Sequence, residues 1–221
     1  MNFPQTLHIE LLSDTTFGRG EGTAGEVDTE VEHDAFGIPF IGGKTVRGLL
    51  RDAWYSMRPH FPELRQAGDR VFGPTKRFLD DDVCVLRVGD ALLQREVREW
   101  VIAAATREYE KDCVAPAMIL AACTDIRYQT AEDRLAGAPA AVTLRSSRVV
   151  LRTFAFDAQL TWLGGEDAAE DDMRVLSMAA LATRHGGLMR NRGRGYLQMT
   201  IDGDLEGTRR LAGVAAKETT K

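Results

Sequence analysis

Between positions 46 and 57 the apolar residues Val46, Leu49, Leu50, Ala53, Trp54 and Met57 recur at i, i+3, i+4 and i+7 without a miss. That period predicts an amphipathic helix over 44–58. Met173, Leu176 and Ala180 repeat the spacing and predict a second helix over about 172–185, with Asp171 or Asp172 as N-cap. Looser alternation predicts strands at 6–12, 83–88, 149–163 and 195–201. The polar stretches between them are of several kinds. Residues 13–37 are glycine-rich and too long for a plain connection, so they read as a functional loop. Residues 59–78 are punctuated by Pro and Gly and read as an irregular link with at most one helical turn. Residues 94–110 suit a helix or a helix–strand mixture, and 125–150 read as two polar arms around a Gly/Pro/Ala tip, a projecting hairpin. After about 206 the chain turns polar and is expected to fray.

The order strand, helix, strand, insertion, strand, helix, strand is that of an α+β fold, the ferredoxin-like or RNA-recognition-motif βαββαβ core. A length of 221 residues suffices for one elaborated domain with a real core, here 1–221 with an insertion at about 91–148. Cys84, Cys113 and Cys123 are odd in number and form no CxxC pair, which argues against zinc and for a reducing compartment. The first residues lack the charged and apolar regions of a signal peptide, and no apolar run approaches the roughly 18 residues that span a bilayer. The expected setting is cytoplasmic, with no membrane partner.

Charge changes the picture through its distribution. The net value of −5 speaks against nucleic acid, but the two signs are separated. Six acids fall in the fourteen residues from Glu21 to Asp34, whereas 184–194 hold four arginines and no acid. In "RNRGRG", 190–195, planar arginine forks beside glycines suit a phosphate backbone, against the plainer reading of a helix-to-strand turn with solvated arginines. Lys44, Arg47 and Arg51 line a second face of the first helix. Alone they read as a solvated face, but the "GG" before them also offers a phosphate free N–H groups and a positive dipole end. The acid cluster has three readings: oxygen ligands for a divalent cation, acid–base or metal-assisted chemistry on a phosphodiester, or a solvated loop. His8, His33, His60 and His185 are scattered, and no P-loop or Gly-x-Ser-x-Gly pattern occurs.

These residues carry a resemblance. "GIPFIGGKTVRGLLRDAW" (37–54) resembles the element that follows the first loop in CRISPR-associated RAMP (repeat-associated mysterious protein) subunits. "RVFG" (70–73) is similar to the motif after their first helix, and "RNRGRGYLQM" to their glycine-rich signature before the last strand. Residues 124–150 look like the thumb of type III backbone subunits, notably type III-D-like ones. Two departures stand out: Gly42 replaces a usual proline, and Lys44 stands where serine is common.

The resemblance implies a recognition-motif core with a thumb, stacked along a guide RNA beside other RAMP subunits, a small subunit and a large polymerase-like subunit. Lys44, Thr45, Arg47 and Arg51 would then touch the guide from the helix, and Arg190, Arg192, Gly193 and Arg194 from the loop. Ile126, Arg127, Gln129, Leu144 and Arg148 would belong to the thumb. In target-cutting members a "G-x-[IV]-D" loop holds an aspartate needed for cleaving paired target RNA. Here "GEVD" puts Asp28 there, with Mg2+ or Mn2+ as the implied ion; Glu26, Glu30 and Asp34 are rivals. The resulting expectation is a guide-binding endoribonuclease. A non-cutting scaffold or 5′-tag cap, a guide-processing ribonuclease, and an interaction domain without RNA stay open.

Overall fold

The computed structural model describes residues 3–74, 84–106, 114–164 and 167–214. Four strands form the central sheet: β1 (Thr6–Leu11), β2 (Leu86–Leu93), β7 (Ala155–Trp162) and β8 (Leu197–Ile201). Their order is β2-β7-β1-β8, every neighbouring pair antiparallel. This is the expected α+β, ferredoxin-like arrangement: the first and third core strands lie inside, the second and fourth at the edges. Alternation decides the faces. Leu7, Ile9 and Leu11, with Phe156, Ala158 and Leu160, are buried, whereas His8, Glu10, Asp157 and Gln159 turn outward. Two helices cover the apolar face, α1 (Gly43–Met57) over β2 and α5 (Glu170–Ala182) over β8, and they pack on each other. Trp54 on α1 is fully buried, as its place in the apolar stripe requires.

Several expectations are corrected. The link after α1 is more ordered than its Pro and Gly suggest: two 3-10 turns lead into α2 (Arg65–Phe72), which packs on α5. Helix α2 fits because Gly68 has no side chain; a Cβ there would collide with the Trp54 indole. The second core strand starts at Leu86 rather than 83, and 75–83 lie outside the described residues. Cap and first turn of α5 are also reassigned. Ala169 is the N-cap, and Asp172 sits in the first turn, accepting from Ala169 N at 3.0 Å and from Arg70 Nη2 at 2.7 Å. The polar tail holds α6 (Leu205–Leu211), capped by Asp204 and anchored by buried Thr208, whose hydroxyl accepts from Ile201 N at 2.9 Å.

The insertion between β2 and β7 contains α3 (Arg95–Ala105), α4 (Pro116–Cys123) and a hairpin. The hairpin's arms are β3 (Thr124–Gln129) and β6 (Arg145–Val150), and its tip holds the short pair β4 (Glu132–Asp133) and β5 (Ala138–Pro139). Among the described residues no helix is long and apolar enough to cross a membrane.

Candidate nucleic-acid interface

Antiparallel pairing gathers three segments at one end of the sheet. Strand β1 leaves at that end into the acidic loop, while β7 enters there from the hairpin and β8 from the Gly/Arg loop. Bridges join them directly: Thr15 to Val150, Thr16 to Leu188 and Thr29 to Ser147. Gly195 makes the closest approach, with φ +74° and its N–H donating to Asp14 O at 3.1 Å. A Cβ at this position would strike the Gly186 carbonyl, so only glycine fits.

Most of the acid cluster has structural work. Glu30 is 1% exposed and accepts from Arg148 Nε at 2.8 Å, Thr23 Oγ1 at 2.9 Å and Val31 N at 3.0 Å. Arg148 also donates to Glu26 at 2.8 Å. Glu32 accepts from Gly42 N at 3.0 Å, and Asp34 ties Phe36 N and Ile38 N in a turn. Three rivals of Asp28 are therefore occupied. Arg148, assigned to the RNA-facing thumb, is corrected to a buried residue whose charge these two glutamates balance.

Asp28 differs from Glu26, Glu30 and Asp34 in that no arginine forms an ion pair with it among the described residues, whereas each of them has one. Asp28 Oδ2 accepts from Ser146 N at 2.7 Å and Ser146 Oγ at 3.1 Å, and its own N–H donates to Ser146. Oδ1 has no hydrogen-bond partner among the described residues. The two donors from Ser146, helped by the Arg145 charge, hold the carboxyl below its ordinary value, so it is an anion at neutral pH. Among the described residues no group of three or more His, Cys, Asp or Glu could hold a metal ion. Asp28 offers one free oxygen, so the described residues alone do not build a Mg2+ or Mn2+ site around it.

The basic stripe of α1 divides. Lys44 and Thr45 are exposed at its start, but Arg47 and Arg51 turn toward the end of α2. Arg47 Nη2 donates to Phe72 O at 3.3 Å and to Cys84 Sγ at 2.8 Å, Tyr55 Oη to Gly73 O at 2.8 Å, and Arg51 Nη2 to Pro74 O at 3.4 Å. Three consecutive carbonyls past a helix C-terminus are thus met by a hydroxyl and two cations, which the helix dipole favours. The helix start is not free either: Glu32 takes the Gly42 N–H and Asp90 the Gly43 N–H, at 2.7 Å for Asp90. The bulge between Val88 and Ala91 in β2 sets Asp90 there. Of the four assigned α1 residues, only Lys44 and Thr45 remain available to a ligand.

The Gly/Arg loop keeps its cations free. Arg190, Arg192 and Gly193 are exposed, and no carboxylate pairs with either arginine among the described residues. Arg194 is half-buried and donates to Ser147 Oγ at 2.9 Å; burial first, then the nearby Arg127 charge, pull it below the ordinary arginine value. Arg127 is held at 2.7 Å by Asp14 and 2.9 Å by Asp125. With Arg152, Thr153, Gly193 and Asp14, these two arginines line a cleft of about 550 Å³ at the hairpin's base. Ile126 and Gln129 are half-buried on β3, and Leu144 is exposed beside Tyr128, Leu135 and Val142 along the hairpin's outer part. Sequence reasoning missed Ser146, Ser147 and Arg152. The only sign of the two serines was "RSSR", two small hydroxyl residues between arginines, and Arg152 carried none.

An antiparallel β2-β7-β1-β8 sheet with helices on one face, a hairpin inserted before its third strand and a Gly/Arg loop before its fourth defines an elaborated ferredoxin-like domain. The family model described as the RAMP superfamily matches residues 8–198, and the chain belongs to that superfamily. No curated protein matches it in sequence. Among solved structures, a chain of the type III-B Cmr-beta complex bound to cognate target RNA superposes with a TM-score of 0.64 at 11% identity, over 89% of this chain and 96% of that one. A chain of the same complex in its apo state gives 0.66 at 11% identity, over 91% and 98%.

Proposed function

We propose that the chain is an RNA-binding subunit of a type III CRISPR effector complex that holds guide RNA and cuts the RNA paired with it. The observation that carries this reading is the junction on β6, where neighbouring serines hold opposite charges: Ser146 grips the Asp28 carboxylate and Ser147 the Arg194 guanidinium. Arg145, whose charge reaches Asp28, would draw a phosphodiester beside an anion with one free oxygen, while Arg194, Arg127 and Arg152 line a cleft at the hairpin's base for the rest of the strand. Cleavage by the neighbouring 2′-hydroxyl forms the bond from its oxygen to phosphorus and breaks the bond to the 5′-oxygen, with solvent taking the 2′-proton and returning one to the 5′-oxygen, which leaves a cyclic phosphate and a 5′-hydroxyl. Asp28 Oδ1 would accept the 2′-hydroxyl's hydrogen bond and aim it. Its lowered pKa makes it an orienting anion rather than a strong base. Arg145 would offset charge on the phosphorus oxygens. The fold relatives belong to a complex seen with cognate target RNA, which supports target RNA and further subunits as partners here; guide RNA, other RAMP subunits, a small subunit and a large polymerase-like subunit complete the proposed set.

The test is cleavage of guide-paired RNA by the assembled complex, wild type beside Asp28→Ala, in magnesium, manganese and chelator. Regularly spaced products that vanish in the variant while RNA stays bound are expected. Products that persist would remove Asp28 from the chemistry. No product from either protein would leave a guide-holding scaffold. The chelator arm reports whether a divalent ion is required.

A further inference from the structure

Where α5 hands over to β8, His185 and Tyr196 lie opposite each other as a bridge pair. Their ring centroids are 5.3 Å apart and the planes are tilted by 41°. Both rings are exposed, Tyr196 at 40%. The backbone beneath them is pinned: Tyr196 N donates to Ser13 Oγ at 2.8 Å, and its carbonyl accepts from Leu12 N at 2.8 Å and Ser13 N at 3.0 Å. The Tyr196 hydroxyl has no hydrogen-bond partner among the described residues. Two rings are thus held rigidly at the surface with nothing covering them.

Their surroundings are those of a polyanion path. His185 borders a cleft of about 840 Å³ with Asp52, Arg184, Arg190 and Asn191. Tyr196 borders a second, of about 420 Å³, with Arg184, Gln198 and mostly apolar side chains; Arg209 on its edge is paired with Glu206. Arg184 lies on both, so the rings stand where the two clefts meet. Arg184 and Arg190 have no carboxylate partner among the described residues; Asp52 is the acid that borders the first cleft. Single-strand binders combine cationic grooves with exposed aromatic faces on which bases stack.

We infer that His185 and Tyr196 form a stacking platform for one unpaired base of single-stranded RNA, whose flanking phosphates meet Arg184 and Arg190. The inference rests on the RNA-binding reading above, but it adds His185, Tyr196 and Arg184 and a contact type that reading does not use.

Stacking and phosphate contacts separate by salt. The full chain is titrated with a fluorescently labelled, unstructured RNA at several salt concentrations, and with the same RNA carrying 2-aminopurine. Tyr196→Ala is expected to weaken binding about tenfold without changing the slope of log K against log salt. Arg184→Ala should shallow that slope by about 0.7. Tyr196→Phe should bind like wild type, since the ring and not the hydroxyl is used, and 2-aminopurine should be quenched by wild type but not by Tyr196→Ala. If Tyr196→Ala does not fold by circular dichroism, His185→Ala and Tyr196→Leu make the same comparison. Unchanged affinity in the ring-removing variants, or equal loss in Tyr196→Phe, overturns the platform. A wild-type chain that binds no RNA overturns the RNA-binding reading itself.

Discussion

Glu30 and Arg148 show how far a residue's role can lie from its charge. A glutamate at 1% exposure is tolerated because an arginine at 8% side-chain exposure and two further donors surround it. Arg148→Ala strands that carboxylate, and urea unfolding should register a loss of about 3–5 kcal/mol; a loss within error of zero would show that the loop relaxes around it. Nothing in "RSSRVV" distinguishes buried Arg148 from Arg145, since both read as polar arms of a hairpin. Asp28 offers the complementary case. Its folded-state pKa is lowered, so its tie to Ser146 stabilises the fold above the unfolded value and is lost as pH falls through the folded one. In an NMR titration Asp28 should protonate below ordinary carboxylates. Ser146→Ala should raise that midpoint only part of the way, because the Ser146 N–H remains. An unmoved midpoint would mean that the hydroxyl contributes nothing.

At the scale of elements, the first helix was legible on its apolar face and misread on its basic one. Val46, Leu50 and Trp54 are buried as the period requires, but a stripe of cations carries no mark saying whether its partner is phosphate or a helix end. Arg47, Arg51 and Tyr55 hold the end of α2, an element hidden in the sequence by Pro59, Pro62 and Gly68. Tyr55→Phe removes one bond to Gly73 O and should cost about 1 kcal/mol by chemical denaturation. Gly68→Ala forces a methyl against the Trp54 indole and should cost about 1–3 kcal/mol, with a shift in tryptophan emission. An unchanged spectrum would mean that α2 moves away without disturbing the core. Helix α6 was missed for another reason: its few apolar residues set no period, and its anchors include the Asp204 cap and the buried Thr208 hydroxyl.

For the whole molecule, the order of core elements followed from periodicity alone, because periods of 2 and 3.6 leave one sensible assignment for each long segment. The meeting of the acidic loop, hairpin and Gly/Arg loop followed from antiparallel order only once the strand neighbours were known. With a net charge of −5, binding a polyanion must depend on the local separation of signs. Arg190→Ala with Arg192→Ala removes two unpaired cations and should shallow the salt slope of single-stranded RNA binding by about 1.4 while leaving the thermal midpoint in place. An unchanged slope would place the phosphates elsewhere.

The bridge from Thr29 to Ser147 seats the segment around Asp28 against the hairpin's base. Carboxylate and hairpin therefore travel as one lever. Wherever the hairpin's outer part lodges along a nucleic acid, Asp28 arrives at a fixed offset. Under the proposed chemistry, the cutting position would be gauged by the reach of that arm rather than by the letters of the strand being cut.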